Sequence, residues 1–172
     1  MGVATGDIHN DGWVDVYVTN FGSNQLFLNQ ADGSFRDVTD SSGTQNRWWS
    51  TSATFLDYVR TAGGSVRGQL RQIRSSASLL RPQQRPEYCG PQAFESELDR
   101  LFRNRGDGTF EDLTTTSGLR EETGPGLGVV AMDFDADGWI DLYVTNDGAS
   151  NQLWINQKNR DSATKPCWPE RL

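Results

Sequence analysis

Four aspartates are spaced along the nine-residue stretch "DFDADGWID" at residues 133–141 so that they stand at positions 1, 3, 5 and 9. Alternate residues of a tight loop can turn their oxygen atoms toward one centre, and a glycine at position 6 permits the sharp bend. Without a cation, carboxylates this close together would repel one another and raise one another's pKa. Dense oxygen ligation of irregular geometry suits calcium better than magnesium. The predicted calcium ligands are Asp133, Asp135, Asp137, Asp141 and the main-chain carbonyl of Trp139.

A second copy of this stretch, "DIHNDGWVDVYVTN", begins at residue 7. Its aspartates keep positions 1, 5 and 9, but position 3 is His9, whose imidazole is a poor ligand for calcium. A weaker calcium site is therefore predicted here, with Asp7, Asp11, Asp15 and the Trp13 carbonyl as ligands. An EF-hand is excluded because Val144 occupies position 12 of the later copy, where that motif needs an acidic residue. The remaining alternative is a solvated acidic turn that binds nothing.

Internal repeats show which elements must position these turns. Residues 2–30 match residues 128–157, and residues 26–39 match residues 101–114, which together give a unit of roughly 50 residues. Aliphatic residues stand at every second position in "DVYVT" and "QLFLN", an alternation that predicts short β-strands. Four such strands in each unit predict an all-β fold, a partial β-propeller of about three four-stranded blades. The predicted blades are residues 1–44, 45–119 and 120–157, the last of them incomplete.

The middle unit breaks off after Asp57, so no metal site is predicted there. Residues 58–86 hold six arginines and no acidic residue, although the whole chain has a net charge of -7. Synonymous codons exist for residues 64–74 that, read one base later, encode the missing strand "DLYVVN". Codons for residues 162–172 likewise give "FRD" one base earlier. We hypothesise that both segments are frame-shifted; the alternative is a basic inserted loop at 58–86 and a frayed, disordered tail at 158–172.

Acidic ladders within β repeats of this length resemble the FG-GAP/VCBS repeat family, the integrin-α-like propellers. The strings "GDGTFEDLT", "STSATFLDY", "PEYCGPQAF" and "GPGLGVVAMDFDADGW" are similar, more narrowly, to the cartilage-acidic-protein group that carries ASPIC/UnbV domains. The resemblance implies a propeller of seven or so blades with calcium in the blade loops, so further blades would complete the ring. It also implies export to the periplasm, the cell surface or the extracellular space, although no signal peptide is visible in this chain. The family's cysteine in "YCGP" usually has a partner in the preceding loop, and a bond between Cys89 and Cys167 is not predicted.

The expected function is calcium-dependent scaffolding and adhesion, with a protein or glycan as partner. The alternative is a fragment of a carbohydrate-active enzyme, such as a polysaccharide lyase, although the sequence shows no catalytic constellation. The acidic charge disfavours nucleic acid, and no apolar run is long enough to span a bilayer. Arg105-Gly106-Asp107 is read as a hairpin turn rather than as an integrin-recognition signal. Trp13, Trp139 and Trp154 are expected in blade packing, while the pair Trp48-Trp49 is the better candidate for an exposed ligand contact.

Overall fold

The fold is seen in a computed structural model that describes residues 1–45, 48–57, 68–74, 96–119 and 123–158. Over residues 68–74 the description covers the backbone alone. Cys89, Cys167, the string "PEYCGPQAF", most of the arginine-rich segment and the tail from residue 159 lie outside the described residues. Within them, no helix is long and apolar enough to cross a bilayer.

Three antiparallel sheets follow one another along the chain. The first sheet contains β1 (Val3–Gly6), β2 (Asp15–Val18), β3 (Gln25–Asn29) and β4 (Phe35–Asp37), and a short helix, α1 (Thr39–Ser42), follows it. The second contains β5 (Ser50–Asp57), β6 (Gly68–Arg74), β7 (Arg100–Asn104) and β8 (Phe110–Asp112). The third contains β9 (Gly126–Met132), β10 (Asp141–Asn146) and β11 (Gln152–Trp154). The prediction of an all-β, partial propeller of about three blades is confirmed.

Each strand pairs with its neighbour in the chain, in the order β1-β2-β3-β4, β5-β6-β7-β8 and β9-β10-β11. The register aligns the repeats: Tyr17 pairs with Leu26 in the first sheet, and Tyr143 pairs with Leu153 in the third. Burial along β3 alternates with the two-residue period of a strand: Leu26 and Leu28 are buried, whereas Gln25, Phe27 and Asn29 are only partly buried. The acidic turns therefore occupy the same place in both sheets, between the first and second strands.

Strand β6 stands where the second strand of the middle unit was missing from the sequence pattern. It pairs with β5 from Asp57↔Gly68 onward and with β7 from Gln69↔Arg103 onward. The residues "GQLRQIR" thus complete a four-stranded sheet with the same strand order as the first one. The frame-shift hypothesis concerns the DNA, which this pairing does not test, and it stays a prediction.

Two hydrophobic cores lie between consecutive sheets. The core between the first and second sheets contains Tyr17, Leu26 and Phe102, and the core between the second and third contains Leu101, Leu142 and Trp154. Fully burying a large apolar side chain stabilises a fold by about 1.5–3 kcal/mol, so these two cores are what hold the sheets side by side. Of the tryptophans expected in blade packing, Trp154 is buried, with 4% of its surface exposed. Trp13 is 48% exposed, so the prediction that it packs between blades is wrong for the sheets that the structure describes.

Candidate metal centres

The turn between β9 and β10 folds the later acidic stretch into a compact loop. Ala136 and Gly138 have positive backbone φ angles of 59° and 86°, which reverse the chain direction within a few residues. The carboxylate of Asp133 accepts hydrogen bonds from the amides of Asp137 at 3.1 Å and Gly138 at 2.8 Å. The first aspartate of the pattern therefore holds the turn closed from within.

Three carboxylates converge in this loop. Asp133, Asp135 and Asp141 each place an oxygen atom within 4.8 Å of the other two. Calcium binds oxygen at about 2.3–2.6 Å, so oxygen atoms at these separations can all reach one ion. Of the residues that the structure describes, these are the only three acidic, histidine or cysteine side chains that meet in this way. The donor set is all carboxylate, which fits a hard divalent cation.

Asp141 is the buried anchor of this group. Its side chain has no exposed surface, and its two oxygen atoms accept hydrogen bonds from the amides of Phe134 and Asn156, both at 2.8 Å. Phe134 lies in the acidic turn and Asn156 follows β11. Asp141 therefore connects the turn to the segment that follows the last strand of its sheet. Each carboxylate oxygen has a second lone pair that remains available to a cation.

Asp135, the exposed member of the group, is surrounded by other negatively charged carboxylates. Partial desolvation first, and then the negative charges of Asp137, Asp141 and Asp133, raise the pKa of its carboxyl group above the ordinary value. A bound dication would reverse the repulsive contribution, because it favours the ionised form of every neighbouring carboxylate. The neighbouring carboxylates therefore disfavour the ionised form of Asp135, and a bound cation would favour it.

Asp137, which the sequence also predicts as a ligand, lies outside this group of three. One of its oxygen atoms accepts the Trp139 amide at 2.8 Å, and the other lies 2.8 Å from the ammonium group of Lys158. The hydrogen bond from Lys158 lowers the pKa of Asp137, and the same bond raises the pKa of Lys158. Lys158 therefore supplies a positive charge at the edge of the turn. The Trp139 side chain is half-buried.

The turn between β1 and β2 repeats the same hydrogen bonds. Asp7 accepts the amides of Asp11 at 3.1 Å and Gly12 at 2.7 Å, and Asp11 accepts the Trp13 amide at 2.9 Å. Asp15 is 3% exposed and accepts the amides of Ile8 and Asn29, both at 2.9 Å. Desolvation acts to raise the pKa of Asp7, but hydrogen bonds from four backbone amides together lower it. The two turns therefore share one scaffold.

His9 is the one predicted ligand position at which the first turn departs from the later one. It occupies the position of Asp135, and its Nε2 atom lies against Gly108 in the turn between β7 and β8 of the second sheet, 3.4 Å from where a Cβ atom on that glycine would stand. Asn104, which ends β7, also donates a hydrogen bond of 2.6 Å to the carbonyl of Ile8. The first acidic turn is therefore packed against the neighbouring sheet.

Sequence reasoning missed several asparagines that shape these turns. The side-chain amide of Asn29 donates to the Val14 carbonyl, and that of Asn156 donates to the Ile140 carbonyl, at 3.2 and 3.3 Å. The repeated strings "FLNQ", "FRNR" and "WINQ" were the signal, since the asparagine recurs at the end of β3 and β7 and two residues beyond the end of β11. Lys158, in contrast, replaces the Ala31 of the first unit, so no repetition could reveal its pairing with Asp137.

The tripeptide Arg105-Gly106-Asp107 lies in the turn between β7 and β8, as predicted. The Arg105 amide donates to the Thr109 carbonyl at 3.0 Å, which closes the turn. Asp107 accepts both the hydroxyl of Thr109 at 2.6 Å and its amide at 2.9 Å, and these two bonds lower the pKa of its carboxyl group. The carboxylate is therefore engaged in shaping its own hairpin.

Trp48 is 50% exposed and lines an open cleft of about 400 Å³ in the second sheet. Arg100 and Asp112, which form an ion pair of 2.8 Å, line the same cleft together with Glu97. An exposed aromatic ring beside charged groups offers both an apolar face and hydrogen-bonding partners to a ligand. Of the pair Trp48-Trp49, Trp48 is exposed as expected, whereas Trp49 is half-buried and packs edge-on against Phe21, with 6.2 Å between the ring centroids.

A family model described as "FG-GAP-like repeat" matches residues 7–60 and 92–144. Among curated proteins, the chain is similar to "Cartilage acidic protein 1" of Xenopus tropicalis, with 34% identity over 71 residues, covering 38% of this chain and 11% of that protein. The human protein of the same name is 38% identical over 55 residues, covering 32% of this chain and 8% of that protein. The chain therefore spans only about a tenth of the length of these relatives.

Proposed function

The chain belongs to the FG-GAP-like repeat family, and from this premise we propose that it is a calcium-binding β-propeller protein with a structural and adhesive role. The convergence of Asp133, Asp135 and Asp141 within 4.8 Å carries the calcium proposal. Calcium would bind through these carboxylates, with Asp137 and the Trp139 carbonyl completing the site once Lys158 moves aside. The first turn, with Asp7, Asp11, Asp15 and the Trp13 carbonyl, would form a second and weaker site.

Calcium would act in this protein as a structural tie. It would bridge Asp133 at the start of the turn and Asp141 at the start of β10, and so stiffen the connection between two strands of one blade. The affinity expected for such extracellular modules is about 10⁻⁴ to 10⁻³ M. A site of that affinity is suited to the calcium concentrations found outside the cell, and we place the protein there.

Calorimetric titration of calcium into the metal-free chain tests this proposal. Asp135→Asn removes one charged ligand from the group of three, and we expect the affinity of the stronger site to fall by about tenfold or more. Asp107→Asn is the matched control, because it removes a carboxylate from a hairpin turn that has no part in the site. Equal binding by the wild type and Asp135→Asn, or no binding by the wild type, would contradict the proposal.

The adhesive role calls for a ligand contact, and we place it at the cleft beside Trp48. Binding of the labelled protein to a glycan array and to immobilised matrix proteins would be compared for the wild type and two variants. Trp48→Ala should reduce binding by about tenfold, as expected for an aromatic anchor. Trp13→Ala is the control, since this residue has nearly the same exposure, 48% against 50%. Equal losses in both variants, or binding by none of the three proteins, would contradict the placement.

A further inference from the structure

A second open cleft lies in the first sheet. It has a volume of about 480 Å³ and lies between the start of β3 and the segment that leads from the end of β4 into α1. We call it the first-sheet cleft, and we call the cleft beside Trp48 the second-sheet cleft. The residues that line the first-sheet cleft include Ser23, Asn24, Gln25, Asp37, Thr39 and Asp40.

The two clefts occupy equivalent places in the repeat. Both are formed where the third strand of a sheet begins and the fourth strand ends. Several lining positions are shared at the offset of 75 residues that relates the two units in the sequence. The shared positions include the pairs Gln25 and Arg100, Asp37 and Asp112, and Thr39 and Thr114.

Neighbouring sheets leave a cleft at this place open. The second sheet packs against the first sheet on one side and against the third on the other, and its cleft is open nonetheless. A further blade packed against the first sheet would stand in the same relation to it as the first sheet does to the second. The first-sheet cleft would therefore stay accessible in a propeller with more blades.

In each cleft, a donor on the third strand faces a carboxylate on the fourth. Hydrogen bonds from the hydroxyl and amide of Thr39, together with a weaker one from the side chain of Gln25, lower the pKa of Asp37. In the second-sheet cleft, Arg100 donates to Asp112 at 2.8 Å. Gln25 and Arg100 are partly buried, and the two aspartates are exposed. A ligand can therefore reach N–H groups and carboxylate oxygen atoms side by side.

This combination of groups suits a neutral saccharide. A sugar hydroxyl both donates and accepts hydrogen bonds, so it can use an N–H group and a carboxylate oxygen together. Volumes of about 400 and 480 Å³ fall within the range of small-ligand pockets. The carboxylates disfavour an anionic ligand. A cationic ligand would have to compete with Arg100 for Asp112 in the second-sheet cleft.

We propose that the first-sheet cleft is a second binding site for a neutral saccharide, equivalent to the cleft beside Trp48. The proposal deepens the adhesive role and rests on the ligand contact proposed at Trp48. No aromatic ring is among the described residues that line the first-sheet cleft, so this site is the weaker of the two.

Titration of the ¹⁵N-labelled chain with neutral hexasaccharides of glucose, mannose and N-acetylglucosamine tests this proposal. NMR spectra separate the two clefts through the amide signals of residues 23–25 and 37–41 in the first and 97–100 and 112–115 in the second. We expect one of these sugars to shift both groups of signals, with the first-sheet cleft responding at higher concentrations. A sulfated heparin hexasaccharide and a lysine hexapeptide serve as the anionic and cationic comparisons. A stronger response of the first-sheet cleft to either of them would overturn the choice of a neutral saccharide.

Two variants act on the first-sheet cleft alone. Ser23→Trp fills it with an indole ring, and Gln25→Leu removes the side-chain amide at nearly the same volume. Each should weaken sugar binding there by about tenfold or more and leave the second-sheet cleft unchanged. Ser150→Trp is the matched control, because Ser150 is the exposed counterpart of Ser23 in the third sheet. That sheet has no fourth strand within the described part of the chain to form such a cleft.

The outcomes separate this proposal from the ligand contact at Trp48. Sugar-dependent shifts at the second-sheet cleft alone would overturn the second site and leave the contact at Trp48 standing. Loss of both groups of shifts in Trp48→Ala would also overturn it, since one site would then account for all binding. If none of the sugars shifts either group, the second site is refuted, whereas binding of a matrix protein that Trp48→Ala abolishes would still support the contact at Trp48.

Discussion

Among the side chains predicted to bind calcium, the two acidic turns differ at one position only, where His9 replaces Asp135. Asp7 and Asp133 hold their turns closed through equivalent amides, and Asp15 and Asp141 anchor them through equivalent buried bonds. The backbone scaffold is therefore independent of whether position 3 is His9 or Asp135. Because the scaffold is the same, the identity of this residue should decide how strongly each turn binds calcium.

Exchanging the residues at position 3 tests this reasoning. His9→Asp should strengthen the weaker site of the first turn to about the affinity of the site in the third blade, so that a calorimetric titration shows two strong sites in place of one strong and one weak. Asp135→His should weaken the stronger site by about tenfold or more, since it replaces a charged oxygen ligand with a poor one. The chain carrying both changes should again show one strong site. An unchanged affinity of the first turn in His9→Asp would show that position 3 does not limit calcium binding there.

Much of the site could be predicted from residue spacing, because the ligand pattern of a tight loop depends on local geometry. The aspartates and the glycine of each turn were found in this way. Contacts between residues distant in the chain could not be predicted, such as the bond from Asn104 to Ile8 across 96 positions. The pairing of Lys158 with Asp137 was also missed, since it depends on how β11 ends relative to the turn.

At the level of strands, a recurring Asp-x-Thr motif joins the third and fourth strands of the first two sheets. The Thr39 amide donates to Asp37 at 2.9 Å, and the Thr39 hydroxyl accepts the Leu26 amide at 2.9 Å. Asp112, Thr114 and Leu101 repeat this arrangement in the second sheet, with distances of 2.9 and 3.2 Å. The motif extends the ladder between each pair of strands, because the threonine hydroxyl accepts the amide of the residue just beyond the last pair, Leu26 beside Phe27↔Asp37 and Leu101 beside Phe102↔Asp112.

The Asp37 carboxylate should make stability depend on pH. Hydrogen bonds from the hydroxyl and then the amide of Thr39 lower the pKa of Asp37 below its unfolded value. Its stabilising effect is therefore fully present above a pH of about 4 and is lost as the pH falls through the lowered pKa. Asp37→Asn should lower the melting temperature by roughly 2 °C at pH 7, a small effect because the group is exposed to solvent.

Thermal unfolding between pH 7 and pH 2.5 would measure this difference. The melting curves of the wild type and Asp37→Asn should converge in the acidic limit, where both side chains are neutral. Asp147→Asn, a change in an exposed loop, serves as the control and should run parallel to the wild type. A difference between the wild type and Asp37→Asn that persists undiminished to pH 2.5 would refute the role of the charge.

Strand β6 shows where strand prediction failed and why. The segment around it has lost the alternation and the acidic turn of the other units, so nothing local in "GQLRQIR" indicates a second blade strand. In the structure its backbone pairs with β5 and β7 on both sides. The formation of β6 is therefore explained by its pairing with β5 and β7 and not by its own composition.

At the level of the whole molecule, the fit between sheets depends on a few close contacts. Phe55 of β5 lies over Gly6 of β1, and a Cβ atom on Gly6 would stand 2.7 Å from the ring. Gly6→Ala should therefore destabilise the fold by about 1–3 kcal/mol, as expected for overpacking. Urea unfolding of Gly6→Ala, Phe55→Ala and the double variant measures this coupling. The alanine at position 6 should cost little in the Phe55→Ala background; an equal cost in both backgrounds would place the strain elsewhere.

The pairing of every strand with its neighbour in the chain has a consequence for the time course of synthesis. All four strands of the first sheet lie between Val3 and Asp37, so their ladders can close before β5 has been translated. Contacts that are local in sequence form quickly, whereas the junctions between sheets must await later residues. The nascent chain would thus acquire its order blade by blade, from the N-terminus onward, with each completed sheet serving as a template for the next.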